Sequence, residues 1–125
     1  MRFSRIKAVY IDNLVKTNDI IVFDALLRQD NFIEKMEIFG YIADDSGKWP
    51  IYIKHEENKG NIYWGTELDP ETNKSEFSTT YINIFNKLLY IGQYITYSAI
   101  NENNRREEYT YRITDIRDWK DYCRN

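Results

Sequence analysis

At 125 residues, with 42% hydrophobic and 30% charged side chains, the chain is long enough to bury a core without metal or disulfides and too apolar to stay disordered. A single cysteine, Cys123, excludes an internal disulfide and fits a reducing compartment, and a net charge of −3 is the wrong sign for a phosphate footprint. No run approaches the ~20 apolar residues of a membrane helix, and the apolar stretch Ala8–Ile11 after the basic start is too short for an export signal. The expectation is one cytoplasmic domain spanning 1–125, with no membrane contact and no direct nucleic-acid partner.

In chain order, Arg2–Tyr10 alternates and predicts a strand. Asp12–Asp19 is polar and predicts a turn or a short helical piece. Asp19–Leu27 is led by Ile-Ile-Val-Phe, which favours a strand over a helix, and Gln29-Asp30-Asn31 predicts a turn. Ile33–Ala43 alternates, with Met36, Ile38 and Ile42 on one face and Lys35, Glu37 and Tyr41 on the other. Asp44-Asp45-Ser46-Gly47 is a turn by chemistry: Asp and Ser bond their own backbone, and Gly supplies positive φ. Trp49–His55 alternates again, with Pro50 near its start, where a missing N–H costs least. Glu57–Gly60 is a second turn, Asn61–Glu67 a strand aligning Ile62 with Trp64, and Leu68–Ser75 a polar loop.

Residues 77–100 hold one charged side chain, Lys87, among Tyr, Ile, Thr and Phe. They are expected to be the heart of the core, as a strand, a break at Asn86-Lys87 and a second long strand. A turn at Asn101–Arg106 and a strand over Glu108–Ile116 follow. Asp118–Arg124 reads as one or two helical turns that dock Trp119 and Tyr122. About eight strands with regular turns make the chain mainly β and antiparallel, a sandwich or a small barrel with a short C-terminal helical turn. Gly40, Gly65 and Gly92 fall inside predicted strands, where they mark bulges or bends.

Signatures of chemistry are absent. The one histidine, His55, is expected at an exposed strand end beside Glu56 and Glu57, with no nucleophile motif around it. One Cys and one His exclude a structural zinc site, and Glu67–Glu71 lacks the spacing of a calcium loop. The five glycines are too scattered to cradle a phosphate. The chain therefore reads as non-enzymatic, with no cofactor and no metal.

Charge distribution is more informative than net charge. Residues 44–76 hold eight acids against four lysines, an excess of −4, so the rest of the chain sums to +1. Strand reversal places Asp44, Asp45, Glu67, Asp69 and Glu71 at one end of the fold, with Trp49 and Trp64 at adjacent strand ends. Acids around an aromatic anchor suit a basic protein partner. Both tryptophans are also in phase with Ile51, Ile53 or Ile62, so core and interface roles stay open for them.

Three runs, Tyr-Trp-Gly-Thr-Glu-Leu-Asp (63–69), Leu-Tyr-Ile-Gly-Gln-Tyr-Ile-Thr-Tyr (89–97) and Tyr-Thr-Tyr-Arg-Ile-Thr (109–114), give a small, acidic, cysteine-poor β chain. In this style, over about residues 36–116, it resembles the immunity proteins of bacterial polymorphic toxin and contact-dependent inhibition systems. That resemblance implies a cytoplasmic protein that binds a cognate toxin domain, often a nuclease, and occludes its active site. The alternative is a β-barrel pocket that takes a small apolar or aromatic ligand, with Tyr and Trp at its mouth.

Overall fold

The computed structural model describes residues 1–13, 15–64 and 80–121. Eight antiparallel strands follow one another around a closed barrel: β1 (Arg2–Asp12), β2 (Val15–Leu27), β3 (Ile38–Asp44), β4 (Gly47–Glu56), β5 (Lys59–Trp64), β6 (Thr80–Ile82), β7 (Tyr94–Ile100) and β8 (Arg106–Asp118). Closure is made by β8 returning to pair with β1, from Ser4↔Asp118 to Tyr10↔Tyr111. Of the two architectures expected, the barrel is the one formed. Closure removes the sheet edges that a sandwich would leave unpaired.

Period-two alternation explains the wall. Ile6 and Ala8 of β1, Ile21, Phe23, Ala25 and Leu27 of β2, and Ile38 and Ile42 of β3 point inward and are buried. So do Ile51 and Ile53 of β4, Ile62, Ile82, Ile95 and Ile113. An eight-stranded barrel is just wide enough for such side chains to fill. Gly40 lets β2 and β3 close up, since a Cβ there would run into the Val22 carbonyl oxygen and Phe23.

Several expectations are corrected. Asp12–Asp19 is no polar turn: the reversal is confined to the residues around Asn13, and β2 is already a strand at Val15. Val15 and Lys16 pair back onto Asp12 and Ile11 of β1, the register shifts across Thr17–Asp19, and there the Thr17 hydroxyl donates to the Tyr10 carbonyl at 3.0 Å. Strand structure in the third segment begins only at Ile38. Ile33 makes a single bridge to Leu27, and the Glu34 N–H donates to the Leu26 carbonyl at 2.8 Å. In 77–100 the break is longer than expected, running from Asn83 to Gln93, and Gly92 takes φ +101° within it. The core is not centred there, because Leu88, Tyr90, Ile91 and Tyr94 are exposed while β1 and β2 supply its middle. His55 is not an exposed strand end but half-buried, set edge-on to Phe85 at 4.9 Å between ring centroids.

The barrel's two ends differ. At one end the connections 28–37 and 83–93 push Ile33, Ile84, Phe85 and Leu89 into the opening and bury them. They are tied together by the Leu89 N–H donating to the Asn31 carbonyl at 2.8 Å. β1 and β8 are clasped there: the buried Ser4 hydroxyl donates to Asp118 at 2.9 Å, and Arg2 pairs with the same carboxylate at 3.2 Å. Among the described residues the C-terminal helical piece is a 3-10 turn, Trp119–Asp121. Trp119 docks as expected, stacked on Phe3 with centroids 6.0 Å apart and donating to Asp24 at 3.3 Å. Tyr122 lies outside the described residues.

Candidate functional site: the aromatic and acidic end of the barrel

The opposite end carries the β1–β2 turn, the β3–β4 turn and the β7–β8 turn, and there the chain leaves β5 at Trp64 and enters β6 at Thr80. Toward this end the inward positions change character strand by strand. Ile6 and Ala8 give way to Tyr10, Phe23 and Ile21 to Asp19, and Ile38 and Ile42 to Asp44. Likewise Ile53 and Ile51 lead to Trp49, Ile62 to Trp64, Ile95 to Tyr97, and Ile113 to Tyr111 and Tyr109. The aliphatic lumen thus ends in an aromatic and acidic mouth.

Register assembles the tyrosines. Tyr97 lies opposite Tyr109 across β7–β8, and Tyr111 lies opposite Tyr10 across β8–β1. The four rings form a closed circuit: Tyr10–Tyr109 6.1 Å, Tyr109–Tyr97 4.9 Å, Tyr97–Tyr111 5.8 Å and Tyr111–Tyr10 5.5 Å between centroids. Tyr111 is the buried floor, and burial drives its phenol well above the ordinary range, as it also raises Tyr97. Tyr109 donates to Glu107 at 2.6 Å; that bond, then burial, pushes its phenol up to about 12.

The carboxylates follow a different logic. Asp44 accepts from the Ser46 N–H at 2.7 Å and the Ser46 hydroxyl at 2.6 Å, which hold it ionised below the usual range. Asp19 is raised, first by burial and then by the charges of Asp44 and Asp45. The Asp19 charge adds, after burial, to the upward push on Tyr97 and Tyr111. The ion pairs Arg2–Asp118, Arg5–Asp24, Arg28–Asp30 and Arg117–Asp115 all employ other carboxylates. Lys48 sits over the Tyr41 ring at 4.9 Å.

Of the residues expected at the rim, Asp44 and Asp45 are brought together, exposed, at this end. Trp49 stands in the inward phase at the lip, 42% exposed, and Trp64 is half-buried against the core. Glu67, Asp69 and Glu71 lie outside the described residues. Tyr10, Asp19, Tyr97 and Tyr109 were not anticipated as site residues. The signal for them was present in phase: each continues the inward alternation of an aliphatic run, but barrel closure is needed to bring β1, β2, β7 and β8 to one mouth.

Other concavities are less convergent. A groove of about 300 Å³ beside the three-residue β6 is lined by Lys59, Tyr81, Asn83, Thr96, Ser98 and Glu108. In it the Tyr81 ring already carries Lys59 at 4.5 Å and Arg106 at 4.9 Å. A cleft of about 370 Å³ lies between Arg2, Asn31, Tyr90 and Asp118 at the plugged end. Another, of about 380 Å³, is bounded by Lys35, Glu37, Lys54, His55 and Glu56. No group of three or more His, Cys, Asp or Glu is placed to hold a metal ion among the described residues. Comparison with protein-family models, with curated proteins and with solved structures gives no match to this chain.

Proposed function

We propose that the protein is a non-enzymatic binding module that uses the aromatic and acidic end of its barrel to dock on a basic protein, in the manner of an immunity protein neutralising a toxin domain. The observation that carries this reading is the coincidence, at one end of a closed barrel, of Asp19, Asp44 and Asp45 with the partly exposed Trp49 and Trp64. Carboxylates around an aromatic anchor supply electrostatic steering at the rim and desolvated contact at the centre. If the partner is a nuclease, these carboxylates stand where substrate phosphates would meet its Lys and Arg, and occlusion of that groove is the mechanism. The inward aliphatic side chains of the strands belong to one buried cluster, and the alternative of an apolar ligand would need space within it.

The test is affinity capture with the tagged chain from its native cells, followed by kinetics on the purified partner. A stoichiometric basic protein whose association slows about tenfold or more with Asp44→Lys/Asp45→Lys, and slows with added salt, supports the reading. A partner whose on-rate ignores both changes overturns it.

A further inference from the structure

The plugged end presents an apolar turn. Between β6 and β7 the chain reverses over Tyr90–Gln93, where the Gln93 N–H donates to the Tyr90 carbonyl at 3.0 Å and Gly92 takes φ +101° in the third position. The turn is anchored from below. Leu89 is buried and its N–H donates to the Asn31 carbonyl at 2.8 Å, the Gly92 N–H donates to the Ile113 carbonyl at 2.8 Å, and the Gln93 side chain donates to the Leu88 carbonyl at 3.0 Å. Yet its tip is apolar. Ile91 is 62% exposed, Tyr90 49%, and Leu88 and Tyr94 44% each. Turn tips ordinarily carry Gly, Pro, Asn, Asp or Ser. Here a well-bonded turn holds an isoleucine and a tyrosine out in solvent, and neither joins the core cluster.

The charge beside this turn is mostly of one sign. Residues 1–9, 83–94 and 112–119 hold six cations, Arg2, Arg5, Lys7, Lys87, Arg112 and Arg117, against two carboxylates, Asp115 and Asp118. Asp118 pairs with Arg2, Asp115 with Arg117, and Asp24 of β2 with Arg5. Lys7 stands opposite Asp115 in register, but Lys7, Lys87 and Arg112 make no ion pair among the described residues. Two of these three flank the turn. The Lys87 ammonium donates to the Tyr94 carbonyl at 2.6 Å, and an Arg112 guanidinium nitrogen lies 3.6 Å from where a Cβ on Gly92 would stand.

We propose that this end of the barrel docks on an anionic lipid surface, with Ile91 and Tyr90 entering the boundary between headgroups and acyl chains and Lys87, Arg112 and Lys7 meeting headgroup phosphates. An apolar tip flanked by cations matches a leaflet that is apolar beneath and negative at its face. Tyrosine suits the headgroup level, and Lys and Arg stems lie along the apolar layer while their charges stay in water. The acidic mouth is at the far end of the barrel and points away from such a surface, so its charge does not oppose the contact. No helix among the described residues is long and apolar enough to cross a membrane, and surface docking requires none. This contact is independent of the docking on a basic protein. It departs from the expectation of no membrane contact, which rested on spanning and export segments alone.

Sedimentation of the full chain with sucrose-loaded vesicles tests it. At low salt the protein should pellet with phosphatidylcholine vesicles that contain phosphatidylserine, stay in the supernatant with phosphatidylcholine alone, and be released by added salt. Ile91→Asp should weaken partitioning about tenfold or more, the scale of one large aliphatic side chain kept in water. Arg112→Gln should weaken it about fivefold, the scale of one cation at an anionic surface. Phe39→Asp is the control: Phe39 is also 62% exposed, lies on β3, four strands round the barrel from β7, and its replacement makes the same change of charge. That variant should bind as the unaltered chain does. Tyr90→Ser supplies a second, uncharged test of the tip if Ile91→Asp lowers the melting temperature. No pelleting with phosphatidylserine, equal pelleting with phosphatidylcholine alone, equal losses for Ile91→Asp and Phe39→Asp, or full binding by the tip variants would each overturn the lipid contact. Capture of a protein through Ile91 by a chain that ignores vesicles would also overturn it and give the turn to a protein groove.

Discussion

Asp19 is the residue at which the mouth's demands and the fold's demands conflict. Its carboxyl titrates above its ordinary value because burial and the neighbouring Asp44 and Asp45 disfavour its charge. A raised folded value means that the folded protein holds the proton more tightly than the unfolded chain. The associated stability is present below the ordinary carboxylate range and lost as pH rises through the folded value. Asp19→Asn escapes that loss. Thermal melts at pH 7 should therefore show the variant a few degrees more stable at most, with the gain shrinking toward acid pH. Tyr109 has the same sign at the alkaline end, with its phenol at about 12 because Glu107 accepts its proton and burial opposes the phenolate. Its contribution is whole below about pH 10 and disappears between about pH 10 and 12. Phenolate absorbance should show a late-titrating class that includes Tyr109 and Tyr52, also at about 12, and Tyr109→Phe should remove one member of it.

Among the elements, β1 and β8 decide whether the barrel closes. Ser4 is fully buried and its hydroxyl finds Asp118, which also holds Arg2. Asp118→Ala leaves that hydroxyl only the long 3.5 Å bond to the Arg2 carbonyl, releases Arg2 from its ion pair, and should cost about 2 kcal/mol by denaturant unfolding. The loss should be largest in the amide protection of β1 and β8, with β3 and β4 less affected. β1, β4 and β8 could be read from the chain because apolar residues recur at every second position, as at Ile6 and Ala8, Ile51 and Ile53, and Tyr111 and Ile113. Val15–Asp19 hid its strand, because a polar hairpin arm reads as a turn until its partner on β1 is known. Leu88–Gln93 misled in the other direction. Its Leu, Tyr and Ile resemble a strand, yet only Leu89 is buried, as part of the plug. The acidic rim was half accessible the same way: Asp44 and Asp45 follow from local turn chemistry, whereas Tyr10, Asp19 and Tyr97 meet only through non-local pairing.

For the molecule as a whole, that non-local pairing sets the folding problem. The bond from Ser4 to Asp118 spans 114 positions, and the first and last strands must find each other before the wall is complete. Loop-closure entropy then makes refolding slow for the size, in the millisecond-to-second range expected of β topologies rather than the microseconds of helical bundles. Stopped-flow fluorescence of the three tryptophans measures it, and a microsecond phase carrying the full amplitude would contradict the closed-barrel topology.

With eight strands, an even number, β1 enters and β8 leaves through the same plugged face. Arg2 and Asp118 are ion-paired there, on the far side of the barrel from Asp19 and Trp49. Any polypeptide joined before β1 or after the 3-10 turn therefore starts out from the back of the molecule. A chain tethered to a bead, a sensor chip or another domain through either terminus would present its tyrosine- and tryptophan-lined front to solution, like a cup held by its base.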